Sequence, residues 1–168
     1  MRVRGSLSPA RITDLLEDAT IPIRLACRTP EDNLWMCSLW YRLERTEAVD
    51  ERANGETDDR WRLRCATAAS ADIVTFLEAD PRVAFEVSTN EPPYAGVRGR
   101  GAVSIDPDPE KETLRDLLER YLGDTESQLA GKLLDDDREE VTITIEPAMV
   151  YGWDFAERMA DVEATDSS

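Results

Sequence analysis

Residues 89–101 read TNEPPYAGVRGRG, a stretch that combines the alternation of a β-strand with three glycines and two arginines. Successive side chains of a strand point to opposite faces, so Val97, Gly99 and Gly101 would share one face while Arg98 and Arg100 share the other. Glycine weakens a strand and is kept where a bend, a bulge or the close approach of a ligand or backbone requires it. The stretch therefore predicts a strand with one bare and one cationic face, at a barrel corner or at a close contact.

Alternating and helical patterns on both sides of this strand predict the rest of the fold. Strands are expected over 21–29, 34–44, 60–67, 82–88, 96–105 and 141–147. Helices are expected over 8–19, 69–81, 108–123 and 127–134. Six strands with short antiparallel connections predict an α+β, mainly β fold, in which a six-stranded antiparallel sheet closes or nearly closes into a barrel with peripheral helices.

The length of 168 residues, with 41% hydrophobic content, predicts a single domain whose core spans about 8–155. The polar segment 44–59 has the composition of a mobile loop at an exposed hairpin tip, and the acidic tail at about 160–168 is expected to be disordered. No apolar run resembles a signal peptide or a membrane span, which predicts a cytoplasmic protein without a membrane partner.

The net charge of −16 is carried by 36 acidic residues against 20 cations, of which eighteen are arginine. Such a charge favours a halophilic cytoplasm, because the Debye length falls to about 3 Å at 1 M salt and self-repulsion is screened. An ordinary acidic protein is the alternative reading. Either way nucleic acid is disfavoured as a partner, because phosphate binding requires a basic surface.

The sequence contains no histidine, which excludes Ser-His-Asp triads, HExxH zinc sites and histidine-ligated haem. Cys27, Cys37 and Cys65 lack CxxC spacing and are expected to be buried thiols rather than a disulfide framework or zinc cluster. The carboxylates at 135–137 are interpreted as a solvated helix end, so no metal site is predicted.

Three strings carry a resemblance to a known family: LWMCSLWY, CAT followed by a helix ending LEADPRV, and EPPYAGVRGRG. Together with the order of elements, from about residue 21 to 153, they resemble the pyridoxamine 5′-phosphate oxidase-like family of FMN-binding split barrels, and the acidic composition suggests a haloarchaeal-type member. The resemblance implies a homodimer that holds FMN, or a deazaflavin, between protomers and acts on a small-molecule substrate.

The resemblance also implies which residues contact the cofactor. The second strand would line the flavin ring through Trp35, Met36, Cys37, Ser38, Leu39 and Trp40, although Trp35 and Trp40 lie on opposite faces and only one is expected to face the ligand. Ala66, Thr67 and Ser70 would contact the ribityl or phosphate end, and Trp153 would cap the pocket. Catalytic residues stay unassigned.

One departure from the family pattern concerns the phosphate. Ala71, Asp72 and Ile73 stand where a typical member has serine, arginine and lysine. Losing two hydrogen bonds to a charged group would weaken binding by roughly 3 to 6 kcal/mol. Arg98 and Arg100 could hold the phosphate instead, another cofactor could be used, or flavin binding could be lost. The favoured hypothesis is an FMN-dependent oxidoreductase. The alternatives are a non-catalytic flavin-binding or storage dimer, a barrel without cofactor, and a deazaflavin-dependent reductase.

Overall fold

The computed structural model describes residues 1–46 and 60–160. Within them it has eight strands: β1 (Arg2–Gly5), β2 (Ile23–Arg28), β3 (Leu34–Leu39), β4 (Arg42–Thr46), β5 (Arg60–Ala68), β6 (Arg82–Ser88), β7 (Ala95–Pro107) and β8 (Glu140–Asp154). The helices are α1 (Pro9–Asp18), α2 (Asp72–Ala79), α3 (Glu112–Leu122) and α4 (Gln128–Leu133), with a short 3-10 helix at Glu157–Met159.

All eight strands belong to one sheet. Their order is β3-β2-β6-β7-β8-β5-β4. Strand β1 lies off this path and pairs in parallel with residues Met149 to Gly152 of β8. Every other pair of strands is antiparallel. The predicted mainly β, antiparallel fold is confirmed. The predicted count of six strands is wrong, since the described residues form eight. The sheet is not closed, because β3 and β4 lie at the two ends of the strand order and do not pair within the described residues.

The two additional strands have separate origins. The predicted strand 34–44 is divided at Trp40 and Tyr41, so that β3 pairs with β2 and β4 pairs with β5. Tyr41 is fully buried at this crossing, where its hydroxyl donates to the Leu16 carbonyl at 2.9 Å and its backbone N–H donates to the Tyr121 hydroxyl at 3.3 Å. The other addition is β1, in a segment for which the sequence predicted no strand.

The glycine-rich strand β7 alternates as predicted, with Val97 buried and Arg98 and Arg100 exposed. Its pairing with β8 shifts register between Arg100 and Gly101. A β-carbon on Gly101 would lie 2.1 Å from the Glu146 carbonyl oxygen. The close approach of a neighbouring backbone therefore accounts for Gly101, at a point where the pairing of β7 with β8 is also irregular.

Two hydrophobic clusters hold the helices against the sheet. The larger cluster contains Leu16 of α1, Leu77 of α2 and the inward side chains of the strands. The smaller cluster joins Leu114, Leu118 and Ala130 of α3 and α4, with Trp40 and Ala66 packed against it. This second cluster encloses one of the two cavities described below.

Helix α3 begins later than predicted, at Glu112 rather than 108. Asp108 precedes the helix and caps it, because its carboxylate accepts hydrogen bonds from the backbone N–H groups of Glu112 at 2.9 Å and Thr113 at 3.0 Å. The predicted loop 44–59 lies outside the described residues beyond Thr46, as does the predicted tail beyond residue 160. No described helix is long and apolar enough to cross a bilayer.

Candidate functional site

Two adjoining cavities lie on the outward face of the sheet. The first, which we term the arginine groove, has a volume of about 680 Å³. Its floor is apolar and includes Ala26, Met36, Ala84, Met149 and Tyr151. Its charged lining residues are Arg24, Arg98, Arg100 and one carboxylate, Glu86. Strands β2, β3, β6, β7 and β8 place these residues on one face because each is an outward position of its strand.

The three arginines of the groove differ in their partners. Arg24 lies 3.6 Å from the Glu86 carboxylate and donates to Ser88 and Asn90. The Arg98 guanidinium lies over the rings of Tyr151 and Trp153, at 5.0 and 5.3 Å from their centroids.

Among the described residues, no carboxylate lies within 4 Å of the Arg98 or Arg100 guanidinium groups. Three arginines against the single Glu86 carboxylate leave the groove with an excess of positive charge over an apolar floor, which favours an anion even in a chain with a net charge of −16.

The second cavity, which we term the Glu140 cavity, has a volume of about 210 Å³. It lies between the end of β3, the strand β5 and the helices α3 and α4, and its lining includes Ser38, Leu39, Trp40, Ala66, Thr67 and Glu140. Leucines of α3 and α4 form the remainder of its apolar wall. The Trp40 ring stacks on Tyr121 with centroids 5.1 Å apart and an interplanar angle of 11°.

Glu140 is an unusual residue in this cavity, because its side chain is 0% exposed. One carboxylate oxygen accepts a hydrogen bond from Arg138 Nε, and the other has no hydrogen-bond partner among the described residues. The hydroxyls of Ser38 and Thr67 likewise make no hydrogen bond within the described ranges. Three polar groups able to bind a ligand therefore line one small cavity.

Residues of the groove and of the cavity are neighbours on the β2–β3 ladder. Arg24 of the groove and Ser38 of the cavity are direct partners in its register, as are Ala26 and Met36 next to them. Directly opposed residues of an antiparallel pair project from the same face with β-carbons about 5 Å apart. An elongated ligand could therefore occupy both cavities.

The structure brings together some of the residues proposed from the resemblance and separates others. The cavity collects Ser38, Leu39, Trp40, Ala66 and Thr67, whereas the groove collects Met36, Arg98 and Arg100. Their cofactor contacts stay predictions.

Four of the proposed residues line neither cavity. Trp35 points into the core, where its ring lies 5.4 Å from Phe76 in an edge-to-face contact. Cys37 also faces inward, and burial raises the pKa of its thiol to about 11. Ser70 is exposed in the turn before α2. Trp153 packs on Gly96 of β7 and reaches the groove only through Arg98.

Sequence reasoning missed Arg24, Arg138 and Glu140. Arg24 could have been found, because alternation places it on the same strand face as Ala26. Glu140 could not, since it is one of 36 acidic residues and only the fold shows that it is buried.

The start of α2 does not fit a phosphate. Ile73 is 3% exposed and belongs to the core, and Ala71 offers no side-chain cap. Asp72 is exposed at the first helical position, where its carboxylate occupies the place that favours an anion. Residues 71–73 therefore supply no side chain that could bind a phosphate.

Comparison with known proteins supports the fold alone. No protein-family model and no curated protein matches the sequence. The structure is similar to the conserved hypothetical protein Rv2991 from Mycobacterium tuberculosis, with a TM-score of 0.67, 20% identity and coverage of 97% of this chain and 93% of that one. It is also similar to an F420 reductase, with a TM-score of 0.61, 22% identity and coverage of 85% of this chain and 98% of that one.

A candidate pyridoxamine 5′-phosphate oxidase from Listeria innocua superposes with a TM-score of 0.55 at 14% identity, over 85% of this chain and 95% of that one. All three matches extend over at least 85% of the chain, so they concern the whole sheet rather than one motif. The chain therefore has the split-barrel fold of these proteins, in an eight-stranded, open form.

Proposed function

We propose that this chain is a flavin-dependent oxidoreductase that acts on a small molecule, with FMN or a deazaflavin as its cofactor. The observation that carries the proposal is the pair Arg98 and Arg100 over an apolar groove, neither of which forms an ion pair with a described carboxylate. The similarity in fold to an F420 reductase supports the deazaflavin alternative. The cofactor would supply the electron transfer, while the protein supplies binding, orientation and electrostatics.

The residues of the groove fit the chemistry of a flavin phosphate or another anionic tail. Its volume lies within the range of roughly 300–1,000 Å³ that is typical of ligand sites. Met36, Met149 and Tyr151 offer an apolar surface to a flat ring, and guanidinium groups bind phosphate oxygens through paired hydrogen bonds. Arg98 and Arg100 would hold the anion in place of the missing residues at 71–73.

We further propose that two copies associate through the outward face and hold the cofactor between them. Leu34 is 83% exposed and Met36 is 63% exposed on β3, and Tyr151 on β8, which lines the arginine groove together with Met36, is 40% exposed. Large apolar side chains gathered on one sheet face are typical of a protein interaction site. Size-exclusion chromatography with light scattering is expected to give twice the chain mass, and a monomer at assay concentration would contradict the dimer.

The test of the proposed function compares FMN with riboflavin, which lacks the phosphate. Quenching of tryptophan fluorescence would report binding in molar KCl, which screens the net charge of −16. We expect FMN to bind more tightly than riboflavin, and the double variant Arg98→Gln, Arg100→Gln to remove that difference. At about 1.5 kcal/mol for each arginine, the low end for a site open to water, the loss is roughly two decades in affinity.

The matched control is the double variant Arg11→Gln, Arg115→Gln. It makes the same change in charge at exposed positions of α1 and α3, outside both cavities. It should leave the preference for FMN intact. An equal loss in the control would mean that overall charge, not the groove, decides affinity.

A second candidate function is a split barrel that carries flavin without catalysis or has lost it. Asp72 and Ile73 favour this reading because the start of α2 cannot bind phosphate. Absence of binding to FMN, riboflavin and a deazaflavin would establish loss of the cofactor. Binding without any acceleration of the oxidation of reduced cofactor by small-molecule acceptors would indicate a carrier.

A further inference from the structure

The strongest unexplained feature of the protein is the free carboxylate oxygen of Glu140. The fold places this residue at the start of β8, opposite Ala68 of β5, with its backbone carbonyl accepting a hydrogen bond from Asp108 N–H. Arg138 occupies one oxygen of the carboxylate and thereby orients the other. The second oxygen is buried and unpartnered beside the Glu140 cavity.

A buried carboxylate oxygen without a hydrogen bond is costly, because folding removes its water and returns nothing in exchange. Folded proteins therefore rarely keep such a group unless it serves a ligand, a water or a reaction. The wall around Glu140 is apolar apart from Ser38, Thr67 and Arg138, so its carboxylate is the only charged acceptor among the described residues that line the cavity.

The donors and acceptors of the cavity match one ligand edge. A cyclic imide presents a ring N–H between two carbonyl oxygens, which is an acceptor, donor, acceptor pattern. A carboxylate can only accept, whereas a hydroxyl can donate. Glu140 therefore suits the N–H, and the unpartnered hydroxyls of Ser38 and Thr67 suit the carbonyl oxygens on either side.

We propose that Glu140 is the recognition group of a ring-binding subsite, whose free carboxylate oxygen accepts a hydrogen bond from the imide N–H of a flat heteroaromatic ligand. The inference rests on the proposed function, in which this ligand is the flavin or deazaflavin ring. The volume of about 210 Å³ is below the range of roughly 300–1,000 Å³ for whole-ligand sites. A ring edge enters the cavity, and the remainder of the cofactor extends toward Arg24 and the arginine groove.

The test uses lumiflavin, a neutral flavin ring without ribityl phosphate, and its 3-methyl derivative, which lacks the imide N–H. Neither ligand carries a phosphate for Arg98 or Arg100. We expect the wild-type protein to prefer lumiflavin by about tenfold or more, as a hydrogen bond to a charged acceptor implies. Glu140→Gln should abolish this preference, because the side-chain amide turned toward the ligand would present a donor to a donor.

Glu139→Gln is the matched control, since it makes the same chemical change at the adjacent exposed residue outside the cavity. It should retain the wild-type preference. A thermal melt of each variant separates loss of fold from loss of recognition, and the preference of the wild-type protein tests the proposal without any variant.

Three results would overturn the proposal, in distinguishable ways. Equal binding of lumiflavin and 3-methyl-lumiflavin to the wild-type protein would show that the imide N–H is not recognised. A preference that survives in Glu140→Gln would assign recognition to another group. Absence of binding by FMN, riboflavin, deazaflavin and lumiflavin alike would refute the proposed function itself.

Discussion

Replacement of Gly101 by alanine tests whether close backbone approach explains the glycine in β7. The added β-carbon would lie 2.1 Å from the Glu146 carbonyl oxygen and 3.0 Å from the Pro147 α-carbon. Ordinary contact between non-bonded heavy atoms begins at about 3.5 Å. Because both neighbours belong to the backbone of β8, no side-chain rotation can relieve the overlap, and the irregular pairing at Arg100 and Gly101 must shift.

Overpacking of this kind costs about 1–3 kcal/mol, and an overlap against backbone justifies the upper value. For a domain of this size each kcal/mol lowers the melting temperature by about 2–4 °C. We therefore expect Gly101→Ala to melt about 6–12 °C below the wild-type protein, as followed by circular dichroism in molar KCl.

Gly131→Ala is the matched control for this substitution. Gly131 lies in helix α4, and an added β-carbon there would meet no atom within 4 Å. Since alanine is favoured over glycine within a helix by about 1 kcal/mol, this variant should melt about 2–4 °C higher. The two alanine substitutions should thus have opposite signs. A Gly101→Ala protein as stable as the wild type would refute the reasoning.

Three further predictions concern stability and titration. Thr113→Val should lower the free energy of unfolding, measured by urea titration, by about 1–3 kcal/mol. The reason is that the Thr113 hydroxyl accepts hydrogen bonds from Arg64 at 2.6 Å and from Thr142 at 2.8 Å. The control Thr75→Val, at an exposed position, should change the free energy of unfolding little. Hydrogen bonds from Arg82 hold the pKa of Asp80 at about 2. Arg82→Gln should therefore raise the pKa of the Asp80 carboxyl, followed by NMR, toward its ordinary range. An unchanged pKa would show that Arg82 is not the cause. Burial raises the pKa of Cys37 to about 11 from the 9.0 of an unperturbed thiol, so the thiol stays protonated in the folded state while it ionises in the unfolded chain. Stability is therefore expected to fall as pH rises from about 9 to 11, and native labelling of Cys37 at pH 8 should be slow.

Much of the fold follows from periodicity because the outward and inward faces of the strands differ in polarity. The alternation in β2, β6 and β7 agrees with the structure, in which Leu25, Phe85 and Val97 lie in the core and Arg98 lies on the surface. Periodicity cannot show where a continuous apolar strand changes partners. The division between β3 and β4 depends on Tyr41, whose hydrogen bonds join segments far apart in the chain.

The candidate site was only partly accessible from the sequence. The resemblance selected Ser38 to Trp40 together with Ala66 and Thr67, and the structure gathers these residues around one cavity. It could not select Glu140 or Arg138, whose significance arises from burial and from one unpartnered oxygen. Neither property has a local signature in a chain so rich in carboxylates.

The parallel pair of β1 and β8 has a consequence for handling the protein. Residues Met149 to Gly152 of β8 pair with β7 along one edge, and along the other edge they pair only with β1. An unpaired strand edge readily pairs with a strand edge of another molecule. Protein that has lost β1 through proteolytic cleavage before Leu7 should therefore aggregate or form heterogeneous oligomers. An affinity tag is accordingly better placed at the C-terminus than next to β1.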